Sequence, residues 1–250
     1  MSYHFNMITR RNTLMAPAYV LPAIGAACSE HPFELPGPQR AALAIERASP
    51  SLDRRLAALG ANLGDPVFIR AYKQEKRLDL YVQPGRTGRF VEFASWPICA
   101  ASGFVGPKKA EGDKQVPEGV YGVTAEALNN ASSYHLSMNV GYPNAFDQSL
   151  GRTGSFIMIH GRCESIGCLA MTDPVIEDIW TLVSAAHREG QTKVDVHILP
   201  FVLNEKALEG YAQSEHLAFW ADLMAIQNAF NSEGVPPVIT ANSGRYVVAG

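Results

Sequence analysis

Residues 155–173, SFIMIHGRCESIGCLAMTD, place one histidine and two cysteines within nine positions, His160 to Cys168, at the end of an apolar run. Three chemistries use these residue types. The first is a thiol nucleophile with its base. A free thiol ionises near pH about 8.5, and a neighbouring imidazole lowers that value strongly, so such a thiol alkylates rapidly near neutral pH. If the turn folds back, His160 can take the Cys168 proton and later return it. Gly167 permits close backbone approach, so the N–H groups of Gly167 and Cys168 can stabilise an oxyanion, and the Ser165 hydroxyl can orient the turn. The second is zinc, with His160, Cys163 and Cys168 as three ligands; no second closely spaced pair supplies a fourth. The third is structural, because cysteine is commonly a small buried filler and a histidine at a strand end is commonly a hydrogen-bonded core group. The seven-residue gap between His160 and Cys168 does not decide among them.

The elements that must position these residues follow from periodicity. Ile157, Met158 and Ile159 predict a buried strand delivering His160 to a turn at Gly161. Downstream, TDPVIEDIWTLVSAAHREG predicts a helix with Asp173 at the N-cap, Pro174 at N1 and Gly190 as terminator. Val175, Ile179, Leu182, Val183 and Ala186 share one face of it and pack on the sheet. Upstream, residues 31–50 are rich in Pro, Ala and Ser and read as a tether, and SLDRRLAALGANLG as a short helix capped by Ser51 and ended by Gly64. PVFIRAYKQEKRLDLYVQPG predicts a hairpin; RFVEFASWPICAASG, VPEGVYGVT, SYHLSMNVGYP and GSFIMIHG continue the β pattern, and KVDVHILPFVL reads as the final strand. SEHLAFWADLMAIQNAF is a second amphipathic helix and PPVITANSGRYVVAG an extended tail. The expected fold is α+β and β-rich, with helices packed on the sheet and a C-terminal helical extension.

The chain has 250 residues, 47% hydrophobic and 18% charged, which suits a globular protein with a sizeable core. A net charge of −3 gives no case for nucleic acid. The densest basic spot, GPKKAEGDK, is interleaved with acids and reads as a solvated loop. The stretch MITRRNTLMAPAYVLPAIGAACSE has Arg10 and Arg11, an apolar run from Leu14 to Ala27, and small residues at Gly25, Ala26 and Ala27, the layout of a secretory signal peptide. Pro17 and Pro22 argue against a buried helix there. TRRNTL resembles a twin-arginine signal, and Cys28 after GAA resembles a lipoprotein cleavage site. Export leaves Cys99, Cys163 and Cys168 in the mature body, which suggests one disulfide and one leftover thiol.

IMIHGRCESIGCLAMTD resembles the signature of L,D-transpeptidase (YkuD-type) catalytic domains, in which His-Gly precedes an S-x-G-C turn, and more closely a YafK-like branch with a compact spacing followed by AMTDP. The likeness extends to PICAASGFVGPKKAEGDKQVPEGVYGVT, SSYHLSMNVGYPNAFD, GRTGS and RYVV, across most of residues 66–250. Most members carry a second histidine before the glycine of S-x-G-C, where this chain has Ile166. His135 either fills that imidazole's place or is a hydrogen-bonded strand residue. The resemblance implies a cysteine acyl transferase on peptidoglycan stem peptides, with no metal and no organic cofactor. Cys168 would be the nucleophile and His160 the base, with Ser165 and Gly167 completing the turn. An amine acceptor would give a crosslink or attach protein to the wall. Water would trim stems or release a wall-bound lipoprotein, an outer-membrane partner, as one branch member does. The rival from another class is a non-catalytic peptidoglycan-binding domain. Cys99 is the natural disulfide partner of Cys163. Tyr134, Asn144 and Arg152 are candidates for holding substrate carboxylates and amides, or else loop-structuring residues. The implied organisation is a signal peptide over 1–28, a tether and short helix over 29–64, a catalytic domain over 65–203, and a C-terminal helix and tail over 204–250. The implied location is the bacterial periplasm or envelope, with membrane contact only through a lipid on Cys28.

Overall fold

The computed structural model describes residues 1–2, 35–242 and 244–249. The signal-peptide reading, Cys28 included, lies outside the described residues apart from the first two. The chain divides into Met1–Glu30 and His31–Gly250, and all elements below belong to the second unit. In order they are α1 (Gly37–Ala57), β1 (Val67–Tyr72), β2 (Arg77–Val82), β3 (Val91–Pro97), β4 (Gly119–Thr124), β5 (Leu128–Asn129), β6 (Ser137–Asn139), α2 (Ala145–Ser149), β7 (Met158–His160), β8 (Leu169–Ala170), α3 (Asp173–Arg188), β9 (Lys193–Leu199), α4 (Glu205–Glu209), α5 (Leu217–Glu233), β10 (Ile239–Asn242) and β11 (Arg245–Val248). The fold is α+β.

One sheet has the order β3-β2-β1-β9-β4, and a second the order β5-β6-β7-β8. β9 was expected to be the last strand. Two short strands, β10 and β11, instead follow it in the chain, and β9 itself sits inside the first sheet, parallel to β1 and antiparallel to β4, as its run of buried residues suits a strand covered on both faces. The main core joins Leu52 and Leu56 of α1, Ile69 and Leu80 of the first sheet, Met138 and Ile159 of the second, and Ile179 and Val183 of α3.

The tether reading is overturned. Residues 37–57 form one helix through Pro50, burying Ala41, Ala44, Ala48, Leu52 and Leu56. That spacing of three and four is a helical stripe, and composition masked it. The Ser49 hydroxyl donates to the Ile45 carbonyl at 2.7 Å, just where the proline interrupts the ladder. The helix ends at Ala57, short of Gly64. α1 lies along α3, with Arg47 paired to Glu177 and Arg55 to Asp178. The α3 N-cap is Thr172, one residue before the expected Asp173, because the Asp173 carboxylate is engaged by the Arg162 N–H at 2.8 Å.

The tail is a hairpin of β10 and β11 rather than an extended segment. Arg245 pairs with Asp222 of α5. The Trp220 indole of α5 donates to Glu118 at 2.8 Å, and the other Glu118 oxygen accepts from Lys73 and from the Gly106 N–H. This buried node anchors both ends of the 106–118 loop from behind, so the C-terminal segment is part of the same packed body.

Candidate active site

The turn that opened the sequence question joins two adjacent parallel strands, with His160 in register with Ala170. Only residues 161–168 lie between β7 and β8, far fewer than a parallel connection normally takes. The chain manages this with three left-handed positions, Arg162 at φ 71°, Cys163 at φ 51° and Gly167 at φ 101°. Two of these are not glycine, and such backbone costs on the order of 1–3 kcal/mol each unless its surroundings hold it. Here they do. Cys163 is disulfide-bonded to Cys99, with Cα atoms 5.1 Å apart, and its N–H donates to the Met171 carbonyl at 3.2 Å. The Gly167 N–H donates to the Ser102 hydroxyl at 2.6 Å. A side chain at Gly161 would meet Asp173 Oδ1 at 2.6 Å and the Tyr134 carbonyl at 3.0 Å, so that position has no room for Cβ.

His160 is buried, and its Nδ1 lies 2.7 Å from the Gly161 carbonyl. Because a carbonyl only accepts, Nδ1 carries the proton and Nε2 is left as the basic nitrogen. The Tyr134 ring packs on the imidazole at 4.7 Å between centroids. Burial pushes His160 below the ordinary imidazole value, only partly offset by the Gly161 bond. Among the described residues Cys168 is the free cysteine, and its Sγ contacts the Phe156 carbonyl at 3.6 Å. Burial pushes the Cys168 thiol up, offset in part by the backbone of the 156–158 segment and by Lys108. Both shifts favour the neutral forms, so on the thiol–imidazole reading the proton would move during attack rather than before it.

Ser165 does orient the turn. Its hydroxyl donates to the Cys168 carbonyl at 2.7 Å and accepts from the Cys168 N–H at 3.0 Å. The amides of Gly167 and Cys168, the expected oxyanion donors, donate to the Ser102 and Ser165 hydroxyls in this structure. Cys163, consumed in a disulfide, is not a thiolate ligand for zinc. At three further candidate positions hydrogen bonding favours the structural alternative. Asn144 caps α2 and donates to the Val120 carbonyl at 2.7 Å. Arg152 pairs with the fully buried Asp147 at 2.8 Å and lies over Phe146 and Phe219. His135 directs Nε2 to Glu177 of α3 at 2.7 Å. All three polar heads are engaged in holding the fold.

Cys168 opens on a cavity of about 210 Å³ whose walls include Lys108, Glu111, Lys114, Phe156 and Ile166. Phe156 and Ile166 are exposed there, and Phe156 and Lys114 are further left-handed residues, at φ 52° and 57°. The GPKKAEGDK segment is solvent-exposed at residues 109–112 and Lys114, as expected, but not at Lys108. Lys108 is buried, donating to Asp113 at 2.7 Å and to the Ala110 carbonyl at 2.9 Å. Partial burial by itself would raise Asp113, but hydrogen bonds from Lys108 and three backbone amides outweigh it and hold the carboxyl at about 2. Ser102 and Lys108 were missed because the contacts that define them come from segments distant in sequence.

The chain matches the L,D-transpeptidase catalytic domain (YkuD) model over residues 66–196. It is 39% identical over 187 residues to YafK of Escherichia coli (strain K12), an L,D-transpeptidase by provisional name, and the match covers 75% of each chain. YafK of Escherichia coli O157:H7 gives the same figures. Among solved structures it is similar to the helical cell shape determining protein Pgp2 of Campylobacter jejuni, at 23% identity and a TM-score of 0.45, covering 72% of this chain and 64% of that one. It is also similar to Bd1075 of Bdellovibrio bacteriovorus, at 18% identity and a TM-score of 0.39, covering 67% and 57%. The chain thus spans less than two thirds of either solved chain. With the family match covering more than half of its 250 residues and a relative at 39% identity, the chain belongs to the L,D-transpeptidase (YkuD) catalytic domain family.

Proposed function

We propose that the protein is a cysteine-dependent acyl transferase acting on peptidoglycan stem peptides in the bacterial envelope. The observation that carries this reading is the free thiol of Cys168 opening on a cavity, on a tied turn that begins at an imidazole with its tautomer set. Family membership supplies the substrate class: the stem peptide's meso-diaminopimelate offers the carbonyl of its L-centre. Cys168 Sγ bonds to that carbon, the thiol proton passes to His160 Nε2, and the carbonyl electron pair moves to oxygen. The carbon–nitrogen bond then breaks as His160 returns the proton to the departing amine, leaving a thioester. Tyr134, whose ring packs at a tilt against His160, would help hold the imidazole in place. An incoming amine would give a crosslink or attach protein to the wall; water would trim the stem or release a wall-linked outer-membrane protein. The same reading makes residues 1–28 an export signal, and cleavage before Cys28 instead of after it would leave that residue to carry a lipid as the route to membrane attachment.

The test is to incubate the mature protein and its Cys168→Ala variant with sacculi, with and without attached protein, and to identify products by mass spectrometry. New crosslinks or wall-attached protein that vanish in the variant support the transferase. Cysteine-dependent protein release or stem trimming assigns the hydrolytic route. Equal binding by both proteins with no product overturns the enzyme in favour of a wall-binding module.

A further inference from the structure

We propose that Lys108 is a catalytic group, its buried ammonium supplying positive charge to the Cys168 sulfur and to the carbonyl oxygen bound there, beside whatever the turn's own amides contribute. The inference rests on Cys168 as nucleophile and starts from the charge that attack creates. The Gly167 and Cys168 amides already donate to Ser102 and Ser165, while attack creates negative charge on oxygen inside a partly desolvated cavity. Charge of that kind must be met by preorganised donors or cations.

Lys108 meets the requirement from within the same cavity. It lines the cavity that Cys168 opens on, and its side chain is 4% exposed, so water screens it weakly. An ammonium has three N–H donors. Two go to Asp113 and the Ala110 carbonyl, and the third is available to a ligand. Asp113 is itself fixed by the N–H groups of Lys109, Ala110 and Gln115, so the lysine is aimed rather than mobile. The Tyr142 ring lies 5.8 Å from Nζ, and the Tyr142 hydroxyl donates to the Lys108 carbonyl at 3.2 Å. The other charged walls, Glu111 and Lys114, are exposed and of opposite sign, and His160 is neutral. Lys108 is thus the buried cation on this cavity, and its field favours the Cys168 thiolate.

A merely structural lysine and an electrostatic one predict different results. In the full-length, disulfide-bonded protein, Cys168 alkylation is followed against pH with neutral iodoacetamide and anionic iodoacetate. Lys108→Met should raise the pH midpoint by about one unit, a tenfold change in thiolate, and lower the iodoacetate-to-iodoacetamide rate ratio several-fold. Lys108→Arg should keep the ratio. Asp113→Asn, which removes the lysine's counter-charge, should move the midpoint downward. Lys109→Met, whose side chain pairs with exposed Glu215, should change neither. On stem peptide, Lys108→Met should lower kcat on the order of a hundredfold. A midpoint and reagent ratio unmoved by Lys108→Met, or shifted the same way by Asp113→Asn, would overturn the proposal and leave Lys108 as a loop tie. Because alkylation needs no substrate, this result stands apart from whether stem peptides are turned over.

Discussion

At the scale of single residues, two neutral partners define how the site responds to pH. On the proposed mechanism turnover requires His160 to accept a proton, so it fails when the imidazole is already charged. Burial depresses that pKa below its ordinary 6.5, so activity should hold as pH falls through 6.5 and be lost only below it. Cys168 lies on the other side of its ordinary value of 9.0, so its alkylation should keep rising above pH 9 instead of levelling off near neutrality. Measuring kcat/KM and iodoacetamide rates over the same pH range checks both; an acid limb above 6.5 would contradict the burial argument. His160→Gln should lower turnover on the order of a thousandfold while leaving thermal stability nearly unchanged. His160 and Cys168 stood out in the sequence by residue type and by the likeness of their turn to the L,D-transpeptidase signature, since their spacing alone left three chemistries open. Ser102 and Lys108 were not, because their roles depend on neighbours brought in from other segments.

At the scale of elements, α1 and the disulfide act on the active-site turn from outside it. Arg40 of α1 donates to the carbonyls of Ser132 and His135, both at 2.7 Å, and so holds the loop that carries Tyr134 over His160. Arg40→Ala leaves those acceptors without the guanidinium and should cost about 3 kcal/mol, a fall in Tm of roughly 10 °C for a domain of this size. Turnover should fall with it, since Tyr134 loses its support; an unchanged Tm would mean the loop holds without α1. The Cys99–Cys163 bond spans 64 residues of sequence, and loop-closure entropy puts its contribution at about 4 kcal/mol. A Cys99→Ser variant should therefore unfold at lower denaturant concentration, and native wild-type protein should show one titratable thiol among Cys99, Cys163 and Cys168.

At the scale of the whole molecule, the first sheet carries a built-in acid lability. His197 of β9 is 1% exposed, packs edge-on against Phe68, and has no hydrogen-bond partner at either ring nitrogen among the described residues. Burial, then the Arg70 and Lys193 charges, lowers its pKa to about 3. The folded state thus excludes a proton that the unfolded chain binds below 6.5. Stability should be full above that value and fall by at most about 1.4 kcal/mol per pH unit toward 3, until the folded state also takes the proton. His197→Phe should flatten this part of a Tm–pH profile. The alternation of KVDVHILPFVL was enough to predict a strand there, yet not its place between β1 and β4, because strand order is decided by which faces bury together. The same limit applies throughout the chain. The sequence by itself determined the α+β class, the strands and helices flanking the turn, and the thiol and imidazole that could react, since periodicity and residue chemistry are local. Only the tertiary structure decided that the expected tether is a helix packed on α3, that Asn144, Arg152 and His135 are held inside the fold, and that a lysine from a supposed solvent loop is buried against the nucleophile's cavity. Those outcomes turn on burial and on partners far apart in the chain, and neither exists until the chain has folded.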